Sequence, residues 1–378
     1  MARLTFEELD KLKRDNNVSR LWSWSRLHSF NISPYEYYLK YIKKVKEDRT
    51  DCIYAPMGGV AHDIIERFYS GKIKYNDMIN EFDDGWLTNR EIAQLKFDRN
   101  DNEHDSKIAD KYHSDLRHFF KHHVPLKNKP VLERFVKMKF DDSLLYGYID
   151  CCFKDDDGCF NIVDWKTSTV YKGKKAEDEC GQLVLYAIAL NQMGVPFDNI
   201  KICWNFLKYC TIQYEQANGV VKTRDIERCK LGSSLQSNVG MWLKRLGYKS
   251  DVDDYLKSML DTNSIDVLPK EVQKKYSMSD CYVYVELTQE IIYKWTDYVM
   301  STIDEILEKE KEYESTGDDS IFFDDNEKVK EESYYFATLC GYSPQLHSPY
   351  KKYLNELENQ KQTTSYGTDD LSWLDNIV

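Results

Sequence analysis

The stretch LLYGYIDCCFKDDDGCFNIVDWKT, residues 144–167, decides the fold of this chain. Apolar residues dominate both of its halves, which predicts strands at Leu145–Phe153 and Cys159–Lys166. The run Asp155–Gly158 between them is typical of a tight turn, because aspartate and glycine tolerate the backbone angles that such turns need. The sequence therefore predicts a β-hairpin here.

Further predicted elements surround this hairpin. Val131–Phe140 precedes it and reads as a strand, and Lys201–Tyr209 follows it as another. A helix is predicted at Gln182–Met193, before Gly194 and Pro196. Strands followed by a helix and a returning strand indicate a crossover connection. The predicted fold class is α/β (α+β-like), with a central mixed sheet and flanking helices.

The same pattern divides the chain into five regions. Residues 131–210 form the predicted core, and the others differ in composition and periodicity. They are a helical N-terminal region at 1–130, an insertion of uncertain fold at 211–280, a C-terminal helical region at 281–357 and a flexible tail at 358–378.

Charge is distributed unevenly along the 378 residues. The formal net charge is −12, yet residues 1–300 hold 45 Lys and Arg against 46 Asp and Glu, whereas residues 301–378 hold 7 against 18. The acidity therefore belongs to the last fifth, and the remainder is free to carry a local basic surface for nucleic acid.

Cysteine spacing and hydropathy exclude other classes. None of the ten cysteines forms a C-x-x-C pair, which argues against a zinc ribbon. No apolar run approaches the roughly 18–20 residues that cross a bilayer, and the first residues lack the apolar core of a secretory signal. We expect a cytoplasmic protein with free thiols and no membrane partner.

The predicted hairpin brings acidic groups together. Asp150 ends its first strand and Asp164 lies on the second, so the turn can place both carboxylates side by side. Lys166 lies two residues after Asp164 and shares its face of the strand. Two carboxylates, a backbone carbonyl and water form a hard oxygen site suited to Mg²⁺ or Mn²⁺, and Lys166 could orient or deprotonate an attacking water.

Two helical pairs accompany this constellation. His62 and Glu66 are four residues apart on a predicted helix, and so are Gln182 and Tyr186 on another, so each pair shares a helix face. Gln182 can donate to a phosphate or hold water, and Tyr186 can stack on a base or bind a phosphate. Tyr186 also lies among apolar residues typical of a core position.

Together these motifs resemble the PD-(D/E)XK nuclease superfamily and, within it, the RecB-like exonuclease branch. The matching segments are Gly59-Val-Ala-His62, Gly147-Tyr-Ile-Asp150, Asp164-Trp-Lys166-Thr and the Q-x-x-x-Y pair Gln182 and Tyr186. Glu133 matches a glutamate often found on the preceding strand of that branch.

The resemblance implies a function and a set of roles. A restriction-endonuclease-like core would carry a metal-dependent DNase, an exonuclease of DNA recombination, repair or replication. Mg²⁺ or Mn²⁺ would be held by His62, Asp150, Asp164 and the carbonyl of Trp165. Lys166 would be the catalytic lysine.

One departure from the branch concerns cysteine. Many relatives, including AddB and the CRISPR-associated iron–sulfur nucleases, clamp this domain with four cysteines. Here Ser33 precedes Pro34 at the first such position, and Ala337 and Cys340 stand at two later ones. The sequence therefore predicts that the scaffold is kept without an iron–sulfur cluster.

The predicted partners are DNA and other proteins. No G-x-x-x-x-G-K-[ST] motif occurs, so any helicase or recombinase would be a separate partner. The apolar segment Leu371-Ser-Trp373-Leu374 looks like peptides by which replication proteins bind a sliding clamp.

The same residues are compatible with other functions. One is a catalytically silent DNA-binding or assembly subunit on the same fold; another is a structure-specific flap endonuclease or an RNase. A second metal site formed by the histidines 113, 118, 122 and 123 is also conceivable, although a solvated helix face explains them more simply.

Overall fold

The computed structural model describes the backbone of residues 3–369 and the side chains of residues 3–360. The chain forms two compact units. The first comprises Met1–Leu21 and Ile53–Thr296, and the second comprises Trp22–Cys52 and Asp297–Val378. Leu371–Leu374 lies outside the described residues. None of the helices in the described part is long and apolar enough to cross a membrane.

Among residues 3–369, seven strands form one mixed sheet. In chain order they are Leu21–Trp22 (β1), Val131–Phe140 (β2), Ser143–Lys154 (β3), Phe160–Lys166 (β4), Ile200–Glu215 (β5), Val221–Glu227 (β6) and Tyr276–Val285 (β7). β3 pairs antiparallel with β2 and β4, while β4 and β5 run parallel. β6 and β7 each pair antiparallel with β5. The predicted α/β fold with a mixed central sheet is therefore confirmed.

Fourteen α-helices are present in the described residues. They are Phe6–Asp15 (α1), Trp24–Ile32 (α2), Pro34–Tyr37 (α3), Tyr54–Tyr69 (α4), Met78–Trp86 (α5), Asn102–His122 (α6), Lys174–Glu179 (α7), Gly181–Gln192 (α8), Leu231–Arg245 (α9), Val252–Thr262 (α10), Lys270–Gln273 (α11), Gln289–Thr316 (α12), Asn326–Glu331 (α13) and Ser348–Asp369 (α14). The first begins with a capping box between Thr5 and Glu8, as their spacing indicates.

The main core lies where α4 and α6 pack against the sheet. Fully buried apolar side chains such as Ile65, Leu116 and Phe119 meet Val163 and Trp165 of β4 there. α8 is buried on nearly every side and packs against the sheet as well, which explains why its sequence lacks a polar face.

The segment 211–280 extends the sheet. β5 continues past the predicted end at Tyr209 to Glu215, and its second half lies between β6 and β7. A separate apolar cluster, which includes Ile212, Leu235 and Trp242, packs α9 and α10 against this half. In this half polar residues such as Thr211 and Gln213 alternate with buried ones such as Ile212, because one face of the strand is open to solvent.

In the second unit, Ser33 lies at the centre of a fully buried polar network. Its hydroxyl donates to Asp324 Oδ2 at 2.8 Å and lies 3.1 Å from His347 Nε2. Cys340 is buried, and its sulfur lies 3.5 Å from the backbone nitrogen of Tyr342. The Ser33 hydroxyl is thus a fully buried group with hydrogen-bond partners from two distant segments of the chain.

Candidate active site

A fork in the sheet creates the site. β3 and β4 pair from Lys154↔Phe160 to Cys151↔Val163, and β4 then continues with β5 alone. The next residues, Asp150 and Asp164, therefore face each other where the two strands separate. A cavity of about 500 Å³ opens at this point. Its lining residues are Arg3, Ala55, Gly58, Gly59, His62, Asp63, Glu66, Glu133, Asp150, Asp164, Lys166 and Gln182.

The two aspartates are buried and close. Their side chains are only 14% and 6% exposed. Burial, with the negative charge of Asp164 beside it, raises the pKa of Asp150 to about 7. The backbone N–H of Trp165 lies 3.4 Å from Asp150 Oδ2, a long hydrogen bond that compensates little of this repulsion.

Lys166 forms an ion pair with Asp164, with 2.7 Å between Nζ and Oδ2. Burial by itself would lower the pKa of Lys166, but the charge of Asp164 and the hydrogen bond to it outweigh burial and raise that pKa. Lys166 is therefore held as an ammonium ion, a form that stabilises negative charge and orients water rather than removing a proton.

His62 reaches the site from α4. Its Nε2 lies 2.8 Å from the carbonyl oxygen of Trp165, and because a carbonyl only accepts, Nε2 carries the hydrogen. Its Nδ1 lies 3.5 Å from Asp150 Oδ2. The four groups expected to ligate metal are thus neighbours, and two of them, His62 and the Trp165 carbonyl, are hydrogen-bonded to each other.

Gln182 and Tyr186 share one face of α8, as their spacing predicts. The Gln182 amide donates to the Tyr186 hydroxyl at 3.0 Å, and Gln182 also lines the cavity. The Tyr186 ring is 6% exposed and lies against Gly147, where an added Cβ would come within 2.9 Å of Cε1. In this arrangement Tyr186 positions Gln182 and has no free ring face for a base.

Four cavity residues, Arg3, Ala55, Gly58 and Asp63, lie outside the motifs. Arg3 lies 5.7 Å from the centre of the Tyr148 ring, and its Nε is 4.0 Å from Glu133 Oε2. Asp63 lies one residue after His62, and the helical pair Gly58 and Gly59 forms part of the cavity wall. Arg3 could not be found from sequence, because it is far from every motif.

The donor set fits a hard divalent cation. In the described part of the chain, no three His, Cys, Asp or Glu side chains lie close enough to hold a metal by themselves. The set here is mixed, with Asp150, Asp164, His62 and one backbone carbonyl. Burial, and after it the charge of Asp164, raises the pKa of Asp150, and a divalent cation would stabilise two buried carboxylates in this arrangement.

The histidines of α6 and the adjacent His123 do not contribute to this cavity. His123 Nδ1 contacts Asp280 Oδ2 at 2.6 Å, and Asp280 also accepts from the fully buried Arg228 at 2.7 Å. The rings of His118 and His122 are tilted against each other with their centres 4.3 Å apart, and burial lowers the pKa of His118 to about 2. These side chains serve core packing rather than the candidate site.

Comparisons with known proteins agree with the motifs. The sequence profile of the PD-(D/E)XK nuclease superfamily matches residues 21–317. A crystal structure described as a candidate exonuclease from Eubacterium rectale covers 78% of this chain and 94% of its own, with 11% identity and a TM-score of 0.29, too low to support an argument. No curated protein matches the sequence.

Proposed function

The chain belongs to the PD-(D/E)XK nuclease superfamily, and from this premise we propose that it is a RecB-like, Mg²⁺- or Mn²⁺-dependent exonuclease acting on DNA. One observation carries the proposal: Asp150 and Asp164 face each other at the sheet fork, with the Lys166 ammonium bonded to Asp164. A silent subunit would have no need to keep two mutually repelling carboxylates and a lysine buried together.

Residues of the fork have distinct roles in this proposal. Asp150, Asp164, His62 and the Trp165 carbonyl would hold the metal, which when bound supplies positive charge at a phosphate oxygen and a more acidic water. Lys166 orients the attacking water and offsets the charge that develops on the phosphate. Gln182, held by Tyr186, donates to the water or to a non-bridging oxygen.

Glu133 would add a third carboxylate. It lines the cavity, and its charge contributes to the raised pKa of Asp150, after burial and Asp164. Its backbone φ of +46° is uncommon for a residue other than glycine, and such strain tends to occur at functional positions. We assign it a role in holding metal-bound water.

The decisive experiment compares end-labelled linear DNA, circular DNA and RNA in Mg²⁺, Mn²⁺ or EDTA. We expect metal-dependent loss of linear DNA, with Asp164→Asn and Lys166→Gln each lowering kcat/KM by about 10³-fold. Asp157→Asn, in the exposed hairpin turn, and Lys244→Gln, on the exposed surface of α9, are the matched controls. Cleavage of circles would instead indicate an endonuclease, and metal-independent cleavage would reject the assigned centre.

The proposal includes partners for recombination, repair or replication. A separate helicase or recombinase would supply ends, and Leu371–Leu374 would bind a sliding clamp. Deleting residues 370–378 should abolish clamp binding, measured by calorimetry, and leave the basal nuclease rate unchanged. Unchanged clamp binding would reject this role of the tail.

A further inference from the structure

A cluster of lysines follows the catalytic strand directly. After Lys166 the chain runs to Tyr171, and then Lys172, Lys174 and Lys175 occur within four residues. All three lysines are exposed, and within the described part of the chain none of them makes an ion pair. We name the segment Tyr171–Lys175 the lysine loop.

Tyr171 anchors this loop beside the candidate active site. Its ring packs edge-on against Trp204 and Phe206, each with 5.1 Å between ring centres. In the β4–β5 ladder Trp204 is the partner of Asp164, and Phe206 is the partner of Lys166. Cross-strand partners share a face of a sheet, so Tyr171 lies on the catalytic face, one strand away.

The loop is further shaped by packing and by glycine. Lys175 Nζ lies 5.3 Å from the centre of the Tyr171 ring, a cation–π contact that keeps this lysine near the anchor. Gly173 has a φ of +54°, and a Cβ placed there would meet nothing within 4 Å. The loop therefore has a defined turn, with Lys175 held over the ring of its anchor and Lys172 and Lys174 exposed beside it.

Charged residues are unevenly distributed in the groove beside the lysine loop. A groove of about 830 Å³ separates the loop from β7 and the start of α12. Lys294 across this groove is tied to Asp178 at 2.7 Å, while Asp225, Glu286 and Glu290 line its far wall. The near side of the groove carries Lys172 and Lys174 together with Glu177 and Asp178, and Lys294 neutralises Asp178. A polyanion would therefore be repelled by the far wall and attracted toward the lysine loop.

We propose that the lysine loop binds the phosphodiester backbone of the substrate strand next to the scissile phosphate. This inference rests on the proposed nuclease function and adds the surface that holds a long substrate. Three exposed ammonium groups beside a site of buried carboxylates supply the attraction that the site itself lacks. DNA and RNA share this backbone, so the loop would bind either.

The test replaces the three lysines together. In Lys172→Gln/Lys174→Gln/Lys175→Gln, a labelled 30-nucleotide strand should bind about 10- to 100-fold more weakly in Ca²⁺ at 0.1 M salt, measured by fluorescence anisotropy. The slope of log affinity against log salt should fall by about 2, since roughly 0.7–0.9 ion is released per phosphate contact. The control, Lys244→Gln/Lys249→Gln/Lys257→Gln, removes the same charge from α9, α10 and their connection.

A second readout separates this inference from the proposed function. Bis(p-nitrophenyl) phosphate is too short to reach the loop, so the triple variant should hydrolyse it at the wild-type rate in Mn²⁺, while kcat/KM for the long strand falls. Equal binding and equal salt slopes in the two triple variants would overturn the inference. A wild-type protein that binds strands through the loop, yet cleaves neither substrate, would overturn the nuclease proposal alone.

Discussion

Glu133 lies directly opposite Asp150 in the β2–β3 ladder, yet the pairs on either side, Leu132↔Cys151 and Arg134↔Ile149, are formed and this one is not. The gap coincides with the left-handed backbone of Glu133. β2 therefore keeps its register with β3, while Glu133 alone departs from the pairing. This departure lies beside the cavity that contains the carboxylates of Asp150 and Asp164.

This relationship predicts a conflict between stability and activity. Glu133→Gly should lower kcat/KM by about 10- to 100-fold, as expected for a group that supports a metal site. Its free energy of unfolding should match or exceed that of the wild type by up to about 1 kcal/mol, because glycine accepts this φ and a repelling charge is lost. Chemical denaturation measures this difference.

Glu133→Ala is the control for backbone strain. It removes the same carboxylate and keeps the left-handed residue, so it should be as inactive as Glu133→Gly and less stable. If both variants have the same free energy of unfolding, strain at this position is absent.

Divalent metal should stabilise the protein against unfolding. At 100 times its dissociation constant, Mn²⁺ would add about 2.7 kcal/mol, seen as a raised Tm in scanning calorimetry. Asp150→Asn removes a buried carboxylate whose pKa is raised to about 7, so the metal-free variant should be at least as stable as the wild type at pH 8. It should gain much less from Mn²⁺, and an equal gain would contradict the assigned ligands.

The close packing of the Tyr186 ring should make glycine necessary at position 147. A Cβ in Gly147→Ala would lie 2.9 Å from Tyr186 Cε1, so the ring must move, at a cost of about 1–3 kcal/mol. Because Tyr186 holds Gln182, activity should fall by about 10- to 100-fold. The stability control is Gly59→Ala in α4, where a Cβ meets nothing within 4 Å and helix propensity should add up to about 1 kcal/mol. A Gly147→Ala protein as stable as the wild type would contradict the close contact.

Asp324 and His347, both buried in the second unit, should each make the free energy of unfolding depend on pH, with slopes of opposite sign. Burial raises the pKa of Asp324 to about 7 and lowers that of His347 to about 4. In His347→Gln only the carboxyl remains; it keeps its proton in the folded state above its unfolded pKa near 4, so stability should fall as pH rises from about 4 to 7.

The opposite slope is expected when the histidine remains alone. In Asp324→Asn the unfolded His347 binds a proton below about 6.5 and the folded one does not, so stability should rise from about pH 4 to 6.5. Either slope is at most about 1.4 kcal/mol per pH unit, and in the wild type the two should largely cancel. Urea denaturation at several pH values measures them, and slopes of the same sign would contradict the neutral pair.

Much of the centre of the fold could be predicted from sequence. The hairpin of β3 and β4, the buried helix α8 and the joint face of Asp164 and Lys166 follow from local periodicity and turn chemistry, which depend on near neighbours. The continuation of β5 beyond Tyr209 could not be predicted in this way, because one of its two partners, β7, lies far along the chain.

By itself the sequence determined the superfamily, the mixed sheet and the identity of the paired carboxylates, because motif order and strand alternation are local properties. Only the tertiary structure decided that β3 and β4 separate at Asp150, that Glu133 turns left-handed opposite it, and that Arg3 reaches the same cavity. Strand divergence, backbone strain and distant contacts all arise from the packing of the whole unit, which no stretch of neighbouring residues encodes.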